Sequence, residues 1–251
     1  MLLHPTLDKL RALKLMGMAR ALEQQQAQRE IDSLTFEERL GLLLDQEHTL
    51  RDGKMLAARL SRAKLKLAAT PEDVDFKAAR GLDKSAFLAL LDTRWVTTHC
   101  NILITGPTGV GKTYLACALA NQACRHGYTA LYCRMTRLFP ELALARADGR
   151  HPKLLAQIAK VDVLLLDDWG LAPMTPEARH DLLEILDDRH GRKSTIVTSQ
   201  LPVEHWHEAI GDATLADAIL DRLVHNAHAL KLRGESQRKS RSKLTVADVS
   251  A

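Results

Sequence analysis

Aromatic residues make up only 4% of this 251-residue sequence. That scarcity argues against nucleic-acid binding built mainly on stacking bases against rings. Cysteine is sparse as well. The four residues, Cys100, Cys117, Cys124 and Cys133, form no C-x-x-C pair, which argues against a structural zinc site of the usual spacing. Thiols scattered in this way suit a reducing compartment. Long apolar runs are missing too: the longest, such as 163–166, are the size of a strand, far short of a bilayer span. Met1-Leu2-Leu3-His4-Pro5 carries no charged segment followed by an apolar core, so the expectation is a cytoplasmic protein outside the membrane. No internal repeat or low-complexity tract is visible. Charge of one sign is only mildly in excess, +4 formally with a pI near 8.9, which permits a polyanionic partner without requiring one. What is present is ordinary for a globular chain: 46% hydrophobic and 26% charged residues, with length for one large domain or two modest ones.

The pattern divides the chain in two. The first seventy or so residues read as helices only. Thr6 can cap a segment with Leu7, Leu10, Met18 and Leu22 on its apolar side, and Thr35 with Glu38 makes a capping box before Leu40, Leu43 and Leu44. A third segment is expected over 54–67, where Leu56, Leu60, Ala63 and Leu67 share a stripe. Arg51, Arg59, Arg62 and Lys66 gather on another face with Lys54 at its margin. This is either a solvated face or a ridge that contacts phosphates. Thr70-Pro71-Glu72-Asp73 punctuates the chain, which gives an expected helical domain over 1–75 and a second domain over 76–251. In that second part strands (101–105, 130–133, 161–167, 195–199, 229–232) alternate with helices (111–126, 137–146, 176–190, 215–226), the signature of a parallel α/β sheet.

Gly106-Pro107-Thr108-Gly109-Val110-Gly111-Lys112-Thr113 fits the phosphate-loop pattern G-x-x-x-x-G-K-[ST] in full. Glycines let a ring of backbone N–H groups close on a phosphate. The following helix aims its positive dipole end at the same point. Lys112 can reach the β- and γ-phosphates, and Thr113 offers a hydroxyl to Mg²⁺. The strand ending in Asp167 and Asp168 delivers two acids to the same sheet edge, Asp167 for the Mg²⁺ shell and Asp168 to orient or polarise water. The two motifs together point to a nucleoside triphosphate with magnesium. The absence of a guanine-reading N-K-x-D run favours ATP. The run 194–200 ends in polar groups. If it lies between the strands that carry the two motifs, Ser199 or Gln200 would sit near the γ-phosphate. Arg222 lies on a later helix.

The phosphate loop, Leu164-Leu165-Leu166-Asp167-Asp168-Trp169-Gly170, Thr198-Ser199-Gln200, Asp221-Arg222-Leu223-Val224-His225-Asn226-Ala227 and Gly234-Glu235-Ser236-Gln237-Arg238 together resemble the IstB-like AAA+ ATPases. These are helper proteins encoded beside the transposase in insertion sequences, and they are related to the DnaC helicase loaders. The likeness is close over roughly 76–240. It implies a P-loop AAA+ parallel sheet flanked by helices, an all-helical N-terminal domain, and a C-terminal lid that is reduced or absent. It further implies that Arg222 is an arginine finger acting on a neighbouring subunit's ATP, that Gln200 (or Ser199) is the polar sensor, and that Arg238 reads the nucleotide as a second sensor. Relatives often carry Asn where Gln200 stands, and many AAA+ proteins carry Asp-Glu where this chain has Asp167-Asp168. A shorter acid is consistent with slow turnover.

The resemblance also implies duplex-DNA binding without sequence preference, a homo-oligomer built through the ATP site, and the transposase of the same element as partner. It favours the phosphate-contact reading of Arg51, Lys54, Arg59, Arg62 and Lys66. A second basic group, Lys231, Arg233, Arg238, Lys239, Arg241 and Lys243, is either a DNA contact or a solubilising tail. His225 and His228 lack a third metal ligand in the sequence pattern, and Trp169 and Trp206 read as packing residues. The alternatives carrying the same ATP chemistry are a helicase loader and, more remotely, a small-molecule kinase.

Overall fold

The computed structural model describes residues 5–28, 31 and 33–237. It divides into two compact units, Met1–Ala58 and Arg59–Ala251.

The first unit is helical. Where the sequence suggested one helix capped at Thr6, the chain forms α1 (Pro5–Ala12) and α2 (Met16–Ala27). Lys14 takes a left-handed φ of 61° between them. Thr35 and Glu38 do form the reciprocal box: Thr35 N donates to Glu38 Oε2 at 2.8 Å, and Glu38 N to Thr35 Oγ1 at 3.3 Å. It opens a single helix, α3 (Phe36–Ala63), where the pattern had suggested two segments. Nothing in 48–54 breaks a helix apart from Gly53, a tolerable cost of about 1 kcal/mol. α3 ends before Leu67, which is exposed rather than on a buried stripe. α2 crosses α3 at Gly17. A Cβ there would stand 2.5 Å from the Glu47 Cα, so only glycine allows the approach, and Gly17 N donates to Glu47 Oε2 at 2.6 Å.

The second unit is built on five parallel strands in the order β2-β3-β4-β1-β5. These are β1 (Asn101–Thr105), β2 (Ala130–Arg134), β3 (Val163–Trp169), β4 (Ser194–Ser199) and β5 (Ala227–Lys231). The helices are α4 (Lys84–Leu90), α5 (Arg94–Thr97), α6 (Lys112–Arg125), α7 (Met135–Ala147), α8 (His151–Lys160), α9 (Pro176–Arg189), α10 (Trp206–Ile210) and α11 (Ala213–Val224). All residues of β1 and β4 are buried, as strands covered on both faces require. Each fully buried Leu, Ile or Val contributes roughly 1.5–3 kcal/mol, so the central strands anchor the unit.

β5 begins two residues earlier than the sequence pattern suggested. α8 was not foreseen at all: its segment starts His151-Pro152-Lys153 and looks like a polar connection, yet Leu155 and Ile158 are buried. The expected boundary near Pro71 also shifts to Ala58. Residues 71–73 form a short 3₁₀ turn tied to α6 by Arg125–Glu72 (2.6 Å) and by Tyr114 OH to Asp73 O (3.4 Å). Arg59 Nε donates to Cys124 O at 2.9 Å. Several basic residues expected on one free face are thereby engaged: Arg59 on that carbonyl, Arg51 on Glu47 at 2.7 Å, and Lys66 as described below. Lys54 and Arg62 are exposed.

Candidate nucleotide site

The C-terminal ends of β1, β3 and β4 meet because β4 lies between β1 and β3. The phosphate loop leaves β1, and α6 starts at Lys112. Gly106 has φ 148°, and a Cβ on it would lie 2.5 Å from Leu232 O, so the loop's first position admits only glycine. The chain after β5 runs against this loop, with Leu232 N donating to Thr105 O (2.7 Å) and Gln237 N to Gly109 O (2.9 Å). Arg238 and the rest of the basic tail, Lys239, Arg241 and Lys243, lie outside the described residues.

Lys112 is 8% exposed. Its Nζ donates to Gly106 O at 2.7 Å and Pro107 O at 2.8 Å, so the ammonium is held over the loop. Thr113 Oγ1 donates to Asp167 Oδ1 at 2.8 Å. Asp167 is fully buried and also accepts from Thr198 Oγ1 (2.5 Å), Tyr132 OH (2.7 Å) and Lys66 Nζ (3.3 Å). Burial alone would raise its carboxyl, but the hydroxyls of Thr198, Tyr132 and Thr113 and the Lys66 ammonium outweigh it and hold it below the ordinary carboxylate range. Burial, and then the same contact with Asp167, pushes the Tyr132 phenol upward.

Asp168 sits at a break in the β3–β4 register between Leu166 and Trp169, with a left-handed φ of 66°. The bulge leaves Asp168 lining the cleft next to the buried Asp167, where strict alternation would send consecutive residues to opposite faces. Asp168 Oδ2 accepts from Arg134 Nε at 2.6 Å, a bond that raises the Arg134 pKa. Gln200 Oε1 accepts from Thr108 Oγ1 at 2.6 Å. Ser199 is buried, with its hydroxyl bonded to Trp169 O (2.9 Å) and Leu201 N (3.0 Å). Of the two sensor candidates, Gln200 faces the phosphate loop and Ser199 braces the strand end.

A cleft of about 560 Å³ is lined by Thr108, Gly109, Lys112, Thr113, Asp168 and Gln200 among others, with Asp167 buried behind Thr113. Thr113 and Asp167 supply one hydroxyl and one carboxylate oxygen. That suits Mg²⁺, which takes few protein ligands and completes its shell with phosphate and water. Among the described residues no group of three or more His, Cys, Asp or Glu could hold a metal by itself.

Arg222 is elsewhere. Its carbonyl accepts from Asn101 Nδ2 at 3.0 Å, at the start of β1, whereas the phosphate loop leaves the end of that strand. Its guanidinium pairs with Asp187 at 2.7 Å and is partly exposed. Trp169 and Trp206 pack together, ring centroids 4.8 Å apart.

The sequence reading missed Tyr132, Arg134 and Thr198 as neighbours of the acids, and also Arg80. Arg80 lines the cleft, is 4% exposed and leaves its buried Nε without a partner. Strand ends were the available signal: Arg134 closes β2 in register with Asp167.

A family model described as IstB-like ATP binding protein matches residues 8–245. The chain belongs to that family. Its relatives include the insertion sequence ATP-binding protein y4pL of Sinorhizobium fredii, 55% identical over 96% of this chain and 98% of the relative. The IS21 ATP-binding protein of Pseudomonas aeruginosa is 34% identical over 94% and 88%. Solved structures share the fold. DnaI aligns with a TM-score of 0.57 at 24% identity over 66% of this chain and 91% of that one. The DnaC helicase loader aligns with 0.52 at 20% identity over 69% and 98%. The family membership and these neighbours make the second unit a P-loop AAA+ fold and the protein an ATP-binding one.

Proposed function

We propose that this family member is a Mg²⁺-dependent ATPase. On this reading it assembles on duplex DNA through its nucleotide site and activates or targets the transposase of its own insertion sequence. The observation that carries the reading is the 2.8 Å contact between Thr113 and the buried Asp167, beside a cleft lined by Thr113, Lys112 and Asp168. Lys112 grips the β- and γ-phosphates, Thr113 and Asp167 hold the metal, and Asp168 orients the attacking water once Arg134 yields it. Gln200 touches the terminal phosphate. Arg222, in α11, lies against the start of β1, whereas the phosphate loop leaves its end, which supports a role on an adjoining subunit's ATP. An arginine added near the transferring phosphoryl group is worth roughly 10³–10⁵ in rate. Arg238 is assigned as the second sensor. DNA contact is assigned to the exposed Lys54 and Arg62 with their neighbours Arg51 and Arg59, as backbone binding without base reading; Lys66, of the same basic group, is turned to Asp167 instead.

Gel filtration with ATP and duplex DNA tests the assembly: a large species that needs both ligands is expected, and it should vanish in Lys112→Ala. A protein that stays monomeric with ATP and DNA overturns the reading. Retention of a replicative helicase in place of the element's transposase in a pull-down would replace the partner.

A further inference from the structure

Lys66 has no part in the roles assigned above beyond a place in a basic group, and its position does not fit that group. It lies three residues beyond the end of α3, after Lys64, which takes a left-handed φ of 50°. That turn carries Lys66 off the helix axis and into the cleft. Its Nζ stands 3.3 Å from Asp167 Oδ2, across 101 residues of sequence. Asp167 is fully buried, while the Lys66 side chain keeps 37% of its surface exposed, so the lysine approaches from the open side. The hydroxyls of Thr113, Thr198 and Tyr132 are neutral donors that satisfy the carboxylate without cancelling its charge. Lys66 is a cation that pairs with it directly, as Arg134 does with Asp168. A divalent ion on Asp167 and an ammonium at this distance from the same carboxylate repel one another in a site of low effective dielectric.

We propose that Lys66 is a positioning residue that acts through Asp167. It is the carboxylate's counter-ion while no metal is bound, and it must withdraw for Mg²⁺ to bind. Its withdrawal releases the segment 64–67, which follows α3 within the second unit. Metal-nucleotide loading is thereby read out as a change in that segment, before any bond is broken. The inference rests on the nucleotide-site reading above.

The test is a Mg²⁺ titration of fluorescent ATP binding to the full chain, with Lys66→Met and Lys66→Arg beside the wild type. Lys66→Met should lower the half-saturating Mg²⁺ about tenfold, the size expected on removing a competing charge. Lys66→Arg should stay within about twofold of wild type, because the charge is kept. In the wild type, amides of 64–67 should exchange faster with Mg²⁺ and ATP than with ATP and EDTA. Unchanged Mg²⁺ dependence in Lys66→Met, or weaker ATP binding there, overturns the proposal, as does a Lys66→Arg protein that behaves like Lys66→Met. Protection at 64–67 that ignores Mg²⁺ overturns it even if Lys66→Met does not fold. A wild type that binds no ATP at all refutes the nucleotide-site reading instead.

Discussion

The two ends of the parallel sheet both bury polar groups, and several of these are satisfied in different ways. At the end where the strands begin, Arg189 is 1% exposed. Its Nη1 donates to Ile158 O and Val161 O at 3.0 and 2.8 Å, and its Nη2 to Ser194 O at 2.5 Å. Burial pulls its pKa down to about 10, and the carbonyls hold it in place. Asn101 is likewise spent on backbone: its amide donates to Arg222 O and Leu223 O and accepts from Thr195 N. At the end where the strands finish, Asp167, Asp168 and Gln200 are satisfied by side chains, which a ligand can displace. Arg189 and Asn101, held by backbone, are part of the scaffold, whereas the exchangeable side-chain partners of Asp167, Asp168 and Gln200 leave those groups available for chemistry; Lys112 rests on the carbonyls of its own loop.

The largest test of that contrast is Arg222→Ala, at the scaffold end but with a guanidinium that reaches solvent. It should keep ATP binding and lose hydrolysis by roughly 10³. Activity should return in part on mixing with Asp168→Ala, checked by phosphate release against the ratio of the two proteins. No recovery at any ratio would make Arg222 scaffold like its neighbours. Arg189→Met comes next. It should cost on the order of 3 kcal/mol, because several buried carbonyls lose their donor together, read as a lower denaturant midpoint with nucleotide affinity intact in the folded fraction. Thr198→Val at the other end should cost only about 1 kcal/mol, since three donors to Asp167 remain, and the same titration checks it. Smallest is an acid effect at Asp162. Burial would raise that carboxyl, but Lys193 and Thr129 lower it, with Lys193 Nζ 2.6 Å away. Its contribution is therefore complete above the ordinary carboxylate value, about 3.9, and fades as pH falls through the lowered one. Asp162→Asn should flatten the acid limb of stability against pH; an unchanged limb would remove Asp162 from the scaffold.

Much of this was legible in the residues. The strands were visible as short apolar runs, the phosphate loop as a motif, and the paired acids as the end of a run with no polar interruption. These signals are local. The counter-ions were not legible: Lys66 meets Asp167 across 101 positions and Arg134 meets Asp168 across 34, and no local pattern records such pairings. Lys66 also looked like a helix-face residue because the apolar spacing continues to Leu67, although the helix stops at Ala63. α8 escaped notice because its segment opens on His151-Pro152-Lys153, which reads as a polar connection, although Leu154, Leu155 and Ile158 recur at helical spacing behind it.

The backbone at Asp168 bears on which acid can stand there. A left-handed residue outside glycine is most easily Asn or Asp, whose short side chains fold back locally. Glutamate, the usual second acid of AAA+ proteins, would bring greater reach to the same spot only against a conformational penalty. The choice of aspartate is thus dictated by main-chain shape as well as by chemistry, and an engineer lengthening that arm would need to straighten the strand first.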